Sequence, residues 1–253
     1  MENILEVKDL CKTYVINKRQ NNVLRNVSFN VEKGEMLAVM GPSGSGKSTL
    51  LYTVSGMDRM TAGKVEFCGK DLSVLSENEL SRVRLEDMGF IFQQMYMMRK
   101  LCILDNILLP GFHAGLEDRS KIREEAEMLM RRLGIMEIAD NEITEVSGGQ
   151  LQRACLCRAL INHPKVLFAD EPTGALNSKA AGEVMRELIK VNREGTAVMM
   201  VTHSARVAAA SDRVIYLIDG HIEGEVVLGK LQDESELTQR EHRINKWLME
   251  QGW

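Results

Sequence analysis

The chain has 253 residues, 44% of them hydrophobic, which is enough to bury a full core. Its 32 basic and 36 acidic residues leave a net charge of −4 with no basic stripe, which excludes nucleic acid as an expected partner. No apolar run reaches the ~18 residues that span a bilayer, and the opening "MENILEVKDL" lacks the features of a secretory signal. A soluble chain is expected, free to bind a membrane protein. Cys11, Cys68, Cys102, Cys155 and Cys157 form no Cys-x-x-Cys pair and read as reduced thiols of a cytosolic protein.

In chain order, "ILEVKDL" (4–10) and "LRNVSFNVE" (24–32) alternate apolar and polar residues as half-buried strands do, and "NKRQNN" (17–22) between them reads as a solvated loop. "GEMLAVMG" (34–41) reads as a buried strand entering a glycine loop, with an apolar-periodic helix over 49–57 behind it. "GKVEFCG" (63–69) and "DMGFIFQQ" (87–94) are further strands. From about 95 to 160 the periodicity is helical; in "SKIREEAEMLMRRLG" (120–134) Ile122, Ala126, Leu129 and Leu133 share a face, and Gly134 suits a helix stop. Buried strands resume at "KVLFAD" (165–170), "TAVMMVT" (196–202) and "RVIYLID" (213–219), with a helix at 178–192. Strands alternating with helices indicate a parallel α/β sheet, so the 95–160 block is expected as an insertion forming its own lobe. In the tail (233–253), Leu237, Ile244 and Leu248 form a helical stripe beside Trp247.

"GPSGSGKST" (41–49) fits the phosphate-loop pattern. Its glycines permit the tight turn that points N–H groups at phosphate oxygens, and the following helix adds its positive end. Lys47 suits the outer phosphates, and Ser48 suits Mg²⁺. "VLFADEP" (166–172) ends a buried strand in two acids. Asp170 suits the Mg²⁺ shell, and Glu171 suits orienting and deprotonating an attacking water. "VSGGQ" (146–150) is a second candidate phosphate grip, with Ser147 as helix N-cap and Gly148 and Gly149 permitting close approach.

Taken together, residues 4–228 resemble the nucleotide-binding subunit of ABC transporters. "GPSGSGKST" resembles the family's Walker A loop, "VLFADEP" its Walker B strand and "VSGGQ" its signature. Gln93 in "FIFQQ" matches the Q-loop position, with Gln94 as the alternative; His203 in "MMVTHS" matches the switch histidine, and Tyr14 in "LCKTY" the aromatic that stacks on adenine. The resemblance implies a P-loop NTPase (RecA-like) α/β core with an antiparallel β subdomain and an inserted α-helical subdomain. The domain would be 4–232, with core 4–94 and 161–232, and a helical tail beyond.

It further implies an ATPase using ATP and Mg²⁺. ATP would be held by Tyr14, Gly41, Pro42, Ser43, Gly44, Ser45, Gly46, Lys47, Ser48 and Thr49, and Mg²⁺ by Ser48, Gln93 and Asp170. Glu171, His203, Lys47 and Gln93 would be catalytic. Two copies would close head to tail on the nucleotide, with Ser147, Gly148, Gly149 and Gln150 gripping ATP bound by the other copy. One departure is Asn177 in "GALNSK" (174–179), where most relatives carry Asp.

Within the family, "FADEPTGALNSK" and "VTHSARVAAASDRVIYLIDGHI" most resemble ATPases of lipoprotein release, macrolide efflux and bacitracin or lantibiotic resistance. The implied partner is a separate permease with a large extracytoplasmic region, holding the chain at the inner face of the membrane. "QMYMMRKLCILDNILLP" (94–110) follows the Q-loop, where relatives receive the permease, and its methionines suit an adaptable socket. Export of an antimicrobial peptide or lipid-like substrate is the expected role. The alternatives are a cell-division-type signalling subunit and a soluble ATPase of translation or DNA repair.

Overall fold

The computed structural model describes residues 2–252; Met1 and Trp253, the last residue of the expected tail, lie outside the described residues. β1 (Asn3–Ile16) and β2 (Arg19–Glu32) form a long antiparallel hairpin, with Leu5 opposite Val31, Val7 opposite Phe29 and Leu10 opposite Val27. The 17–22 segment is exposed as expected, yet it is not a loop: Arg19–Asn22 pair with Thr13–Ile16. The turn shrinks to Asn17 and Lys18, whose φ values of 50° and 63° give the two-residue geometry that matches strand twist. Backbone pairing at this solvated tip needs no apolar side chains, so no alternation announces it.

β3 (Met36–Met40) leads into the glycine loop and α1 (Lys47–Val54). β4 (Ala62–Phe67) pairs antiparallel with β1, and β5 (Lys70–Asp71) completes a four-stranded sheet in the order β2-β1-β4-β5. α2 (Glu77–Asp87) carries too few buried residues to show a period, only Leu80 and Val83. Its signal lies in the cap: the Glu79 N–H donates to Ser76 Oγ, while the Ser76 N–H donates back to Glu79 at 2.8 Å.

β6 (Met88–Ile91) is followed by α3 (Ile103–Ala114), α4 (Arg119–Arg132) and α5 (Gly148–Leu160), a three-helix lobe inserted before β7 (Val166–Asp170). β6 and β7 nonetheless pair directly and in parallel. Helix begins at Ile103 rather than near 95 because Asn106, only 1% exposed, holds the preceding backbone in an irregular path. Its amide accepts from the Met98 N–H at 2.7 Å and donates to the carbonyls of Met98, Leu101 and Cys102 at 3.0–3.2 Å.

α6 (Ser178–Arg193), β8 (Ala197–Val201), α7 (Ala205–Ala208), β9 (Arg213–Ile218), β10 (His221–Val227) and α8 (Leu237–Glu250) complete the chain. The main sheet runs β10-β9-β3-β8-β7-β6, parallel except for β10 against β9. β10 escapes a reading for parallel strands; its cue is Asp219-Gly220, a hairpin turn with φ of 46° and 80°.

Every residue of β3, β7 and β8 is buried, and the period of two sorts them into two cores. Met36, Ala38, Met40, Leu167, Ala169, Val198 and Met200 face one cluster, shared with Ile122, Ala126, Leu129 and Leu133 of the lobe and with Ile244 and Leu248 of α8. Leu37, Val39, Val166, Phe168, Met199 and Val201 face the other, shared with α1 and the antiparallel sheet. All five cysteines are free; burial in α5 pushes up the Cys155 thiol to about 11 and raises Cys157 as well. Among the described residues no helix is long and apolar enough to cross a membrane.

α8 is held by a polar side chain as well as by its stripe. Arg240, 8% exposed, donates to the carbonyls of Ser211, Gly229 and Lys230 at 2.8–3.2 Å, and Trp247 lies edge-on to Tyr216 with ring centroids 6.0 Å apart. Arg240→Ala leaves those carbonyls without this donor and is expected to cost about 2 kcal/mol of stability, read from the urea midpoint; exposed Gln239→Ala serves as the unaffected control.

Candidate functional site

The site lies where β3 and β7 end. A strand buried on both faces can present side chains to solvent only at its ends, and in a parallel sheet the carboxyl ends open onto one crevice. Gly41 leaves β3 so close to the neighbouring strand that a Cβ there would sit 2.1 Å from the Leu217 carbonyl oxygen, so only glycine fits. Gly46 caps α1 at φ 100°, in the left-handed region. Between them Pro42, Ser43, Gly44 and Ser45 form the loop.

Lys47 opens α1 and turns its Nζ back over the loop, donating to the Gly41 and Pro42 carbonyls at 2.8 Å each. Burial pushes its pKa down, against the pull of the Glu171 and Asp170 charges. Ser48 and Tyr52, four apart and therefore on one face of α1, both donate to Asp170, at 3.0 Å to Oδ1 and 2.8 Å to Oδ2. Tyr52 was not anticipated; its signal is that helical spacing from Ser48. Burial and the bond to Asp170 raise its hydroxyl above the usual range.

Glu171 follows directly at φ 47°, a left-handed backbone that costs a residue with a side chain about 1–3 kcal/mol. Two hydrogen bonds hold the turn: the Glu171 N–H to the Val201 carbonyl at 2.9 Å and the Gly174 N–H to the Glu171 carbonyl at 3.0 Å. The carboxylate is oriented by three groups from the end of β8. Thr202 Oγ1 donates at 3.3 Å, the His203 N–H at 3.1 Å, and His203 Nδ1 lies 2.8 Å away. Nδ1 is thus the ring nitrogen that faces the carboxylate, and in the neutral tautomer protonated there Nε2 is the acceptor. The His203 side chain is 69% exposed and Glu171 14%. Gln93 lies exposed beside this turn, its Nε2 3.8 Å from where a Cβ on Gly174 would be.

Tyr14 reaches the start of α1, with its hydroxyl near Thr49 and hydrogen-bonded to Asp58. Lys12 Nζ sits 4.6 Å from the centre of its ring and bonds Asp58 at 2.6 Å. One ring face is therefore already lined by a cation, which the sequence pattern alone did not reveal.

The signature segment lies elsewhere. Ser147 caps α5: its Oγ accepts from the Gln150 N–H at 3.3 Å and donates to Gln150 Oε1 at 2.9 Å, and the Ser147 N–H donates to the same oxygen at 3.0 Å. Gln150 also donates to Glu137 at 3.4 Å. Ser147 and Gly148 are exposed, and a Cβ on Gly149 would lie 3.0 Å from Ala180 Cβ. Gln150 bonds Glu137, Gly148 approaches Leu176 and Gly149 approaches Ala180, and none of these partners is in the phosphate loop. Asn177, at the departure from the family pattern, caps α6 by accepting from the Ala180 N–H at 3.0 Å, which its amide oxygen does without charge.

Beyond the Q-loop position, Met97 packs into the core while Tyr96 and Met98 stay 63% and 54% exposed. Arg158 shapes this stretch by donating to the Met95 and Tyr96 carbonyls at 2.8 Å. A groove of about 330 Å³ runs past it, lined by Phe90, Phe92, Tyr96, His113 and Arg158 among others.

Loop, helix and paired carboxylates at the sheet end define a P-loop nucleotide-binding cassette. The family model described as ABC transporter matches residues 24–174, and the chain belongs to that family. The macrolide export ATP-binding/permease protein MacB of Escherichia coli is 41% identical over 222 residues, covering 88% of this chain. This chain spans 34% of that protein's length, about a third. The ABC transporter ATP-binding protein YknY of Bacillus subtilis is 36% identical over 87% of this chain and 95% of its own length. The dimeric structure of the ATP-binding cassette MJ0796 in a post-hydrolysis state, bound to ADP and Pi, superposes with a TM-score of 0.84 at 35% identity, covering 90% of this chain and all of that one.

Burial pushes the Asp58 carboxyl up, but hydrogen bonds from Lys12 and Tyr14 and the Lys12 charge outweigh it and hold the group below its ordinary value of 3.8. A depressed folded-state value contributes stability that is present above the ordinary value and lost as pH falls through the folded one. Asp58→Asn is expected to lower the urea midpoint at neutral pH, with the gap to wild type narrowing below about pH 3.8. An undiminished gap in acid contradicts the assignment.

Proposed function

We propose that this chain is the ATP-binding and hydrolysing subunit of a transporter, working as a head-to-tail pair of copies beneath a separate membrane permease. One observation carries the reading: the phosphate loop and the signature cap are both built for an anion, yet among the described residues the cap's hydrogen bonds and close approaches run to Glu137, Leu176 and Ala180, none of them in the loop. Ser147 and Gly148 are exposed and Gly149 and Gln150 half-buried at the N-terminus of a 13-residue helix. Its natural acceptor is a phosphate held by a second copy.

The loop fits a triphosphate. Ser45 Oγ is buried with no hydrogen-bond partner among the described residues, and Lys47 donates to carbonyls of its own loop. A phosphate oxygen supplies the charge these groups lack. Tyr14 offers a ring face to adenine, and the loop residues 41–49 wrap the phosphates. Ser48, Asp170 and Gln93 are the residues that would hold Mg²⁺, which when bound neutralises phosphate charge. Glu171 is suited to accept a proton from an attacking water because three donors fix its carboxylate, and His203 offers Nε2 toward the same space. Lys47 stabilises charge on the departing phosphates.

The match to macrolide exporters supports export or extraction of an amphipathic cargo, and we extend it to antimicrobial peptides or lipid-like molecules. The permease, with a large extracytoplasmic region, selects that cargo and holds the chain at the cytoplasmic face of the membrane.

Glu171→Gln is expected to bind ATP, to lose about 10²–10⁴-fold in hydrolysis and to run as a dimer on gel filtration with ATP. Ser147→Arg is expected to abolish ATPase activity with the permease present; parental turnover in that variant rejects the shared pocket. In the groove, Tyr96→Asp places a charge where an apolar partner would pack, so the permease should no longer co-purify. Retention of the permease removes Tyr96 from the docking surface.

A further inference from the structure

We infer that Gln152 is a positioning residue for Glu171, carrying the seating of the signature helix to the acid that activates water; this rests on the shared-pocket reading above. Gln152 lies one turn into α5, five residues beyond Ser147. It is 3% exposed, and its Nε2 donates to the Pro172 carbonyl at 2.8 Å. Pro172 is buried, directly follows Glu171 and has no N–H of its own, so its carbonyl is its only backbone hydrogen-bonding group. Glu171 stands in a left-handed backbone at φ 47°, a conformation that persists only when its surroundings over-determine it. The strand side of that turn is fixed through Val201, and the side toward the lobe is fixed by Gln152.

Two further contacts make the connection stiff. Gly149 lets α5 approach α6 so closely that an added Cβ would meet Ala180 at 3.0 Å. Arg153 pairs with Glu183 of α6 at 2.5 Å. α5, the start of α6 and the turn after Glu171 therefore form one block. In a dimer the N-terminus of α5 touches nucleotide bound by the second copy, while the same helix grips the turn beside the acid of its own copy. A shift of the helix on engagement is passed to Glu171 through a single buried hydrogen bond. A displacement of about 1 Å at a reacting group costs up to about a hundredfold in rate.

The test uses the full-length chain carrying Gln152→Met, which keeps side-chain length and apolar packing but removes the donor. The expected result is a kcat reduced about ten- to hundredfold with the KM for ATP within twofold of wild type, and an ATP-dependent dimer that accumulates on gel filtration because it forms but turns over slowly. Unchanged kcat overturns the inference, as does a rise in KM with loss of the dimer, which assigns Gln152 to binding or folding. A melting temperature within a few degrees of wild type accompanies the expected outcome. Ser147→Arg, measured in parallel, separates the two readings. If it keeps parental activity, the shared pocket fails whatever Gln152 does; if it is dead while Gln152→Met is normal, only the positioning role fails.

Discussion

A strand covered on both faces has nowhere to put chemistry except its ends, and this constraint organises the molecule. β3, β7 and β8 are buried throughout, each sending alternate residues to two different cores. The centre of the site lies where they stop: the glycine loop after Met40, Asp170 and Glu171 at the end of β7, Thr202 and His203 after Val201. Parallel pairing brings the three ends to one level, since Ala38 is opposite Met200 and Asp170 opposite Val201. Ser48 then reaches Asp170 with a short side chain and His203 reaches Glu171 across adjacent strand ends, while Tyr52 spans to Asp170 with the length of its ring.

The lobe is attached to this frame at two depths. Its apolar side is continuous with one core of the sheet, through Leu129, Met130 and Leu156. Its polar end carries the exposed cap at Ser147. The same α5 supplies both, so an event at the cap is mechanically continuous with the interior. Asn177 fits this picture: as a cap for α6 it preserves the helix start without charge, and the acid pair at 170–171 is built independently of it.

Much of this was legible in the sequence because it depends on short-range rules. Buried strands with acids or glycines at their ends, the glycine and Lys-Ser spacing of the loop, and the Ile122-to-Leu133 stripe are all local patterns. What was not legible depends on partners distant in the chain. Tyr52 joins the site through a residue 118 positions away, and the Lys12–Asp58–Tyr14 cluster joins β1 to the segment after α1. The late start of α3 turns on one buried asparagine, which composition does not distinguish from a solvated one. α2 and β10 did leave local marks, a capping box and an Asp-Gly turn, but both carry thin or one-sided apolar patterns. The Arg19–Asn22 arm left none, because its pairing is made by the backbone with a polar Thr13–Asn22 side-chain bond and no apolar alternation.

The cap at Ser147 has a consequence for how tightly the proposed clasp can hold. In the lone chain its hydroxyl proton is already spent on an amide oxygen 2.9 Å away, so meeting an anion exchanges one acceptor for another rather than adding a bond. The gain is only the difference between a neutral and a charged acceptor, roughly a doubling of a modest interaction. A latch with its own resting place lets go readily when the charge opposite it departs, which is what repeated opening demands.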